Sequence, residues 1–215
     1  LSLHDALPIF RLQRGACSAD RQSIVMCRAG AYKSMPCRGA NHCQQQGPYN
    51  AVCDVSIAEA NDECEGDEAA CSADGQSMLT CANGRMGSPQ LCRGANHCQV
   101  QGNRINCDAS ITAVGDPCTA DAGASCSPDG LNLLHCVDGH IAVQSPCRGP
   151  QHCRVSGRNI DCDTSLAQVG DPCEGSNAAC RMDGLALLEC SGGVYAQTRE
   201  CAPCAVANNR VTCGE

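Results

Sequence analysis

The heptapeptide Cys-Arg-Gly-Ala-Asn-His-Cys occurs twice without change, at 37–43 and 92–98, and returns as Cys-Arg-Gly-Pro-Gln-His-Cys at 147–153. Two thiols and an imidazole at this spacing suit either of two chemistries. They can ligate zinc, with Cys37, His42 and Cys43 offering three of its four ligands, or the thiols can close loops as disulfides. The fourth occurrence separates the two: it reads Cys-Ala-Pro-Cys at 201–204, with Pro203 where His152 stands one copy earlier and both cysteines retained. A scaffold tolerates loss of the histidine, whereas a metal site built on it does not. The pattern predicts structural staples and no metal or other cofactor, with the histidine a surface or turn-packing side chain.

Two further chemistries are weighed on the same residues. Asp54, Asp108 and Asp163 each follow the last cysteine of a set, but no stretch alternates oxygen ligands as a calcium-binding EF-hand loop does. In Cys-Asp-Ala-Ser and Cys-Asp-Thr-Ser the carboxylate reads as a cap. Nucleophilic catalysis needs a free thiolate. These cysteines fall in framework positions, and no Ser, His and Asp group recurs with them, so no enzyme activity is expected.

The elements that must position the cysteines follow from composition and periodicity. The chain holds 23 cysteines in 215 residues, enough to make a disulfide framework the default reading and an oxidising compartment its setting. It has no Trp, one Phe and three Tyr, so cross-links must substitute for a large apolar core. A formal charge of −8 opposes binding to nucleic acid or anionic lipid. No run of about 18 apolar residues is present for membrane insertion.

Residues 1–9, Leu-Ser-Leu-His-Asp-Ala-Leu-Pro-Ile, lack the basic start, apolar stretch and cleavage site of a secretion signal. Read as codons they resemble a translated sequencing adapter, whose next base suits Phe10. The resemblance implies that residues 1–10 are artefactual and that the chain is a metagenomic fragment cut upstream, with any signal peptide lost. His4 and Asp5 receive no role.

Cys64, Cys71, Cys81, Cys92, Cys98 and Cys107 are echoed by Cys118, Cys126, Cys136, Cys147, Cys153 and Cys162, then by Cys173, Cys180, Cys190, Cys201, Cys204 and Cys213, at a period of 54 or 55 residues over most of the set. The first set, Cys17, Cys27, Cys37, Cys43 and Cys53, lacks its leading member. This predicts four tandem repeats: 11–60 (truncated), 61–114, 115–169 and 170–215. The predicted fold is small, disulfide-rich and mainly β, with two hairpins per repeat in an elongated array.

In the first hairpin, Asn83-Gly84, Asp138-Gly139 and Gly192-Gly193 read as type I′ turns. About Asp138-Gly139, Cys136 faces Ile141 and Leu134 faces Val143, which predicts that these four form the small core. In the second hairpin, turns at Gly102-Asn103, Gly157-Arg158 and Asn208-Asn209 leave two cysteines directly opposite. The register predicts bridges Cys43–Cys53, Cys98–Cys107, Cys153–Cys162 and Cys204–Cys213. A bridge between third and fourth cysteines would have to span about 20 Å and is disfavoured. The first cysteine then joins the third or the fourth, with the third favoured. The incomplete first set should accordingly hold a free thiol at Cys27, with Cys37 the alternative. The linkers Ser-Ile-Ala-Glu at 56–59 and Ser-Leu-Ala-Gln at 165–168 match capping boxes and predict a short helical turn ended by Gly115 or Gly170.

Over residues 17–213 the motifs resemble tandem cysteine-rich repeats of secreted or envelope-attached proteins of environmental bacteria. The resemblance implies an extracellular or cell-envelope location and carries over no functional residue. The expected role is a non-enzymatic spacer, adhesive or protein-binding segment, contacting a protein through the outward faces of the first hairpins. The alternative is protease inhibition by Arg38, Arg93 and Arg148, each shown in a cysteine-pinned loop, unless these arginines pair with nearby aspartates.

Overall fold

The computed structural model describes residues 10–28, 30–102, 104–120, 122–157, 159–207 and 210–214. Residues 1–9, and Asn103, Arg158, Asn208 and Asn209, which the sequence predicts in turns, lie outside them. Among the described residues every regular element is a strand and none is a helix. The chain divides into two compact units, Leu1–Ala109 and Ser110–Glu215, each carrying two of the cysteine sets.

In the first unit Ala16–Cys17, Ser23–Arg28 and Ala31–Pro36 form one antiparallel sheet, and Phe10–Arg14, Asn50–Asp54 and Cys43–Gly47 form another. Around the next set, Ala69–Cys71, Ser77–Ala82, Arg85–Met86 and Gln90–Leu91 make a sheet, with Cys98–Gln101 and Arg104–Cys107 as a separate hairpin. The second unit repeats this plan. Ser125–Cys126, Asn132–Val137 and His140–Pro146 precede the hairpin Cys153–Ser156 with Asn159–Cys162. Leu166–Ala167, Ala178–Arg181, Ala186–Ser191 and Val194–Glu200 then precede the hairpin Cys204–Ala207 with Arg210–Cys213.

Turn chemistry sets the first hairpins. Asn83 and Asp138 take φ of 53° and 50°, each followed by a glycine at φ 77° or 83°. Two successive positive φ values are what a type I′ turn requires. The resulting register pairs Cys136 with Ile141 and Leu134 with Val143. Leu134 and Ile141 are buried, but Val143 is 47% exposed. A register shift between Leu133 and Leu134 leaves Gln144 unpaired, and a bulge of this kind bends the outer strand off the inner face. Val143 therefore does not belong to the core.

The linkers are extended rather than helical. Ile57 and Ile111 form parallel bridges with Cys71 and Cys126, and Leu166–Ala167 pairs parallel with Ala178–Arg181. Backbone donors that a capping box would have satisfied within a turn of helix go instead to a neighbouring strand: Ala58 N–H donates to Cys71 O at 3.0 Å and Cys71 N–H to Ser56 O at 2.8 Å. Gly115 and Gly170, at φ 89° and 92°, occupy the third position of tight turns closed by Asp116 N–H to Ala113 O and Asp171 N–H to Gln168 O. That position demands positive φ in a type II turn. Asn61, at φ 72°, stands there in the first unit.

Eleven disulfides cross-link the strands, an arrangement that belongs to an oxidising environment. Cys64–Cys81, Cys118–Cys136 and Cys173–Cys190 join first to third cysteines. Cys17–Cys43, Cys71–Cys98, Cys126–Cys153 and Cys180–Cys204 join second to fifth. Cys37–Cys53, Cys92–Cys107, Cys147–Cys162 and Cys201–Cys213 join fourth to sixth. The fifth-to-sixth bridges predicted from hairpin register are thus absent, although the register itself is present, with Cys98 opposite Cys107 and Cys153 opposite Cys162. Facing residues share a sheet face, so both sulfurs of such a pair point into the interior. There each meets a cysteine of another segment, with Cα separations of 5.7 Å for Cys71–Cys98 and 5.2 Å for Cys92–Cys107.

The loop after the second cysteine decides the choice of partner. Ser72 Oγ donates to Asp74, whose carboxylate accepts the Gln76 N–H at 2.9 Å. Gly75 follows Asp74 at φ 70°, and its carbonyl accepts the Cys98 N–H at 2.9 Å while Gln76 O accepts the Cys92 N–H at 2.9 Å. One loop thereby holds both the fourth and the fifth cysteine. Arg21, Gly130 and Gly184 accept from Cys43, Cys153 and Cys204 in the same way.

Candidate functional site

The Cys-Arg-Gly loops are each built around a carboxylate, buried in the first set and partly buried in the next two. Asp54 is 2% exposed; its Oδ2 accepts the backbone and side-chain N–H groups of Asn41, each at 3.0 Å, and its Oδ1 the Ser56 N–H at 3.1 Å. Asp108 takes Asn96 and Asp163 takes Gln151 and Ser165 in the same manner. Gly39, Gly94 and Gly149 must be glycine, because a Cβ there would fall on the carboxylates of Asp54, Asp108 and Asp163. Burial works against ionisation of Asp54, but donors from Ser56 and Asn41 prevail and hold its carboxyl below the ordinary value. These aspartates therefore tie loops together; the helical turn assigned to them from sequence is not there.

The histidines of the same loops serve the turn. His42, His97 and His152 have φ of 49°, 49° and 51°, and the ring Nδ1 of His97 and His152 lies 3.3 Å from the carbonyl of the loop's first cysteine. Their neighbouring sulfurs are all consumed in disulfides. Among the described residues no group of three His, Cys, Asp or Glu side chains is placed to hold a metal ion.

The loop arginines Arg38 and Arg148 are turned onto the segment that follows. Arg38 donates from Nε to Asp62 at 2.9 Å and from Nη2 to Glu59 at 2.9 Å. Arg148 donates to Asp171 from Nε at 2.7 Å and from Nη2 at 3.1 Å. The same aspartates accept the Glu59 and Gln168 N–H groups at 2.8 Å, so each carboxylate joins an arginine of one cysteine set to the turn that opens the next. Burial opposes ionisation of Asp171 too, and the bonds from Arg148 and Gln168 outweigh it, leaving its carboxyl below the ordinary value. Arg93 holds the equivalent sequence position in the second set.

One surface differs between sets. In three of them the segment ahead of the first cysteine lies on the outer strand of the first hairpin through three backbone bonds. Asn61 N–H donates to Met86 O, Met86 N–H to Asp62 O and Cys64 N–H to Gly84 O, at 2.8, 2.9 and 3.2 Å. Gly115, Ile141 and Cys118 repeat the pattern, as do Gly170, Tyr195 and Cys173. The chain residues covered by this segment are buried: Met86 at 3%, Ile141 at 4% and Tyr195 at 2%.

The first set has no such segment among the described residues. Ala31–Pro36 is an edge strand, Cys27 is unpaired and exposed, and Tyr32, which faces Cys27 across the hairpin, is 85% exposed. Ala16, Val25, Cys27 and Tyr32 line an open groove of about 680 Å³ with Tyr49 and Pro48. Their counterparts Ala70, Leu79, Cys81 and Met86 are packed together in the second set. Of the two thiol candidates from sequence, Cys37 is bonded to Cys53 and Cys27 carries the thiol. The groove itself had no sequence signature beyond the missing cysteine, since Tyr32 occupies a position that is apolar in every set.

Comparison with protein-family models, with curated proteins and with solved structures gives no match for the chain.

Proposed function

We propose that the chain is a non-enzymatic array of four disulfide-stapled repeats, extracellular or held at the cell envelope, that binds protein partners through side chains presented at matching places. The observation that carries this reading is the recurrence of exposed apolar residues one period apart. Val114 and Val169 are 64% and 60% exposed, and Leu131 and Leu185 are 48% and 51% exposed. A single exposed valine or leucine carries no message. The same two positions left uncovered in successive cysteine sets support a repeated contact surface on a scaffold whose bridges keep it rigid. A rigid surface binds at a lower ordering cost than a loose one.

The test is saturable binding of the oxidised protein to protein-coated and polysaccharide-coated surfaces, with the variants V114S/V169S and L131S/L185S beside it. Saturable binding to protein that both variants weaken by about tenfold, with an unchanged disulfide map, supports the reading. Binding that is absent, or equal in all three proteins, rejects it. Inhibition of a trypsin-like protease is not favoured, because Arg38 and Arg148 are engaged by Asp62, Glu59 and Asp171. Stoichiometric loss of trypsin activity would reverse that judgement.

A further inference from the structure

We infer that a polar hollow between the third and fourth cysteine sets binds a sugar acid, a ligand that carries one carboxylate beside several hydroxyl groups. The inference goes beyond the function proposed above and rests on different residues.

The hollow, of about 490 Å³, lies wholly within the second unit, and its size is in the range of about 300–1,000 Å³ that small-ligand sites span. From the third set come Arg154 and Asp161, opposite each other in the hairpin of Cys153–Ser156 with Asn159–Cys162. From the fourth come Ser176, Asn177 and Arg210. The linker ties the two sides together: Leu166–Ala167 pairs parallel with Ala178–Arg181, and Cys180 N–H donates to Ser165 O at 2.8 Å. The Arg148–Asp171 ion pair spans the same two sets. Cys126–Cys153 and Cys147–Cys162 pin one side, while Cys180–Cys204 and Cys201–Cys213 pin the other. A site held this way loses little freedom when it binds.

Its charges define the ligand. One residue after the fifth cysteine stand Gln44, Gln99 and then Arg154; three residues before the sixth cysteine of the following set stand Arg104, Asn159 and then Arg210. Of these three junctions, the last alone combines two arginines. Arg38 and Arg148 have carboxylate partners, whereas among the described residues the guanidinium groups of Arg154 and Arg210 make no ion pair or hydrogen bond. Both arginines are exposed, and their planar forks match a carboxylate. Asp163 already accepts the Gln151 and Ser165 N–H groups, each at 3.0 Å. Asp161 is thus the acceptor left for the ligand's own donors. Phosphate or sulfate offers chiefly acceptors, which Asp161 repels, but hydroxyls beside a carboxylate offer donors. Ser176 and the Asn177 amide can meet further hydroxyls in either sense. An acidic peptide fits less well, because the rest of its length would need apolar pockets, and only Cys162, Ala178 and Val211 among the lining residues are apolar.

The experiment titrates the full oxidised chain, isotopically labelled for amide resonances, with glucuronate and in parallel with glucose, inorganic phosphate and an acetylated Glu-Glu-Glu peptide. Glucuronate should saturate in the millimolar range and shift the amides of Arg154, Asp161, Asn177 and Arg210. The other three ligands should each bind at least about tenfold more weakly. R154Q/R210Q should weaken glucuronate at least about tenfold, with an unchanged non-reducing peptide map. D161N, which removes one acceptor oxygen and the repelling charge, should move the preference toward phosphate by a similar factor, and it decides the matter if the double variant scrambles its bridges. No shifts at the four named residues, glucose, phosphate or peptide binding as tightly as glucuronate, full binding in a correctly bridged R154Q/R210Q, or an unchanged preference in D161N overturns the inference.

Discussion

Tyr32 and Tyr195 occupy the same place in two cysteine sets, each facing the third cysteine of its set across the first hairpin, yet one is 85% and the other 2% exposed. The hairpins are built alike and differ in which described residues lie on their outer strand. Burial at this position is therefore a property of the added segment and its first-to-third bridge. The inner layer behaves differently. In the first set Ile24, Met35, Cys37, Cys43, Ala51 and Cys53 form a closed cluster with no such segment among the described residues. Each set thus has an inner layer clamped by the second-to-fifth and fourth-to-sixth bridges, and the three six-cysteine sets add an outer layer clamped by the first-to-third bridge.

The largest effect expected is from reduction, which should erase the distinction between layers. Each bridge contributes about 2–4 kcal/mol taken alone, and the sum over the eleven exceeds what cores assembled largely from cysteine and alanine supply. Full reduction should abolish strand circular dichroism in both units, and chelators should leave it unchanged. Native-like spectra in strong reductant would show that the clusters stand without their bridges.

A narrower cut sharpens the comparison. C173S/C190S leaves the fourth set, like the first, without a first-to-third bridge, and the cost should be about 2–4 kcal/mol. Tyr195 should then iodinate at a rate approaching that of Tyr32, while Cys180–Cys204 and Cys201–Cys213 persist in non-reducing peptide maps. If Tyr195 stays protected, the three backbone bonds suffice and the first-to-third bridge is redundant.

The inner layer is probed by G94A, which drives a methyl onto the Asp108 carboxylate. Overpacking of this kind costs about 1–3 kcal/mol, read from denaturant midpoints, and should not alter the iodination of Tyr32. A neutral result would mean that the carboxylate can move without losing Asn96.

The smallest effects concern the ion pair and pH. R148A should lose at most about 1 kcal/mol, a loss that shrinks in high salt. Asp54, Asp163 and Asp171 are each held below their ordinary pKa in the folded chain. A depressed folded value contributes stability above the unfolded pKa of about 3.9, and that contribution is lost as pH falls through the folded value. The melting temperature should stay level from about pH 7 to 5 and fall below about pH 4. A fall already complete at about pH 5 would point to other groups.

Much of the frame was legible because its determinants are local. Asn83-Gly84 and Asp138-Gly139 announce their turns by tolerating positive φ, and a two-residue turn dictates every cross-strand pair that follows, including Cys136 with Ile141. The linkers were misread for a related reason. Ser-Ile-Ala-Glu satisfies a capping box by residue type, but the backbone at 56–58 found a strand partner in Cys71, and a pattern of side chains cannot report a competitor elsewhere in the chain.

The cysteine spacing by itself determined the period, the set that is one cysteine short, and the oxidising setting, since these depend on residue type and position alone. The tertiary structure decided which sulfur meets which. Opposite cysteines such as Cys98 and Cys107 are near enough to bond, but their sulfurs share an inward face, and the carbonyls of Gly75 and Gln76 bring Cys71 and Cys92 within reach of that face. Proximity along a hairpin is set by two strands, whereas the choice among several nearby thiols is set by the layer packed beneath them.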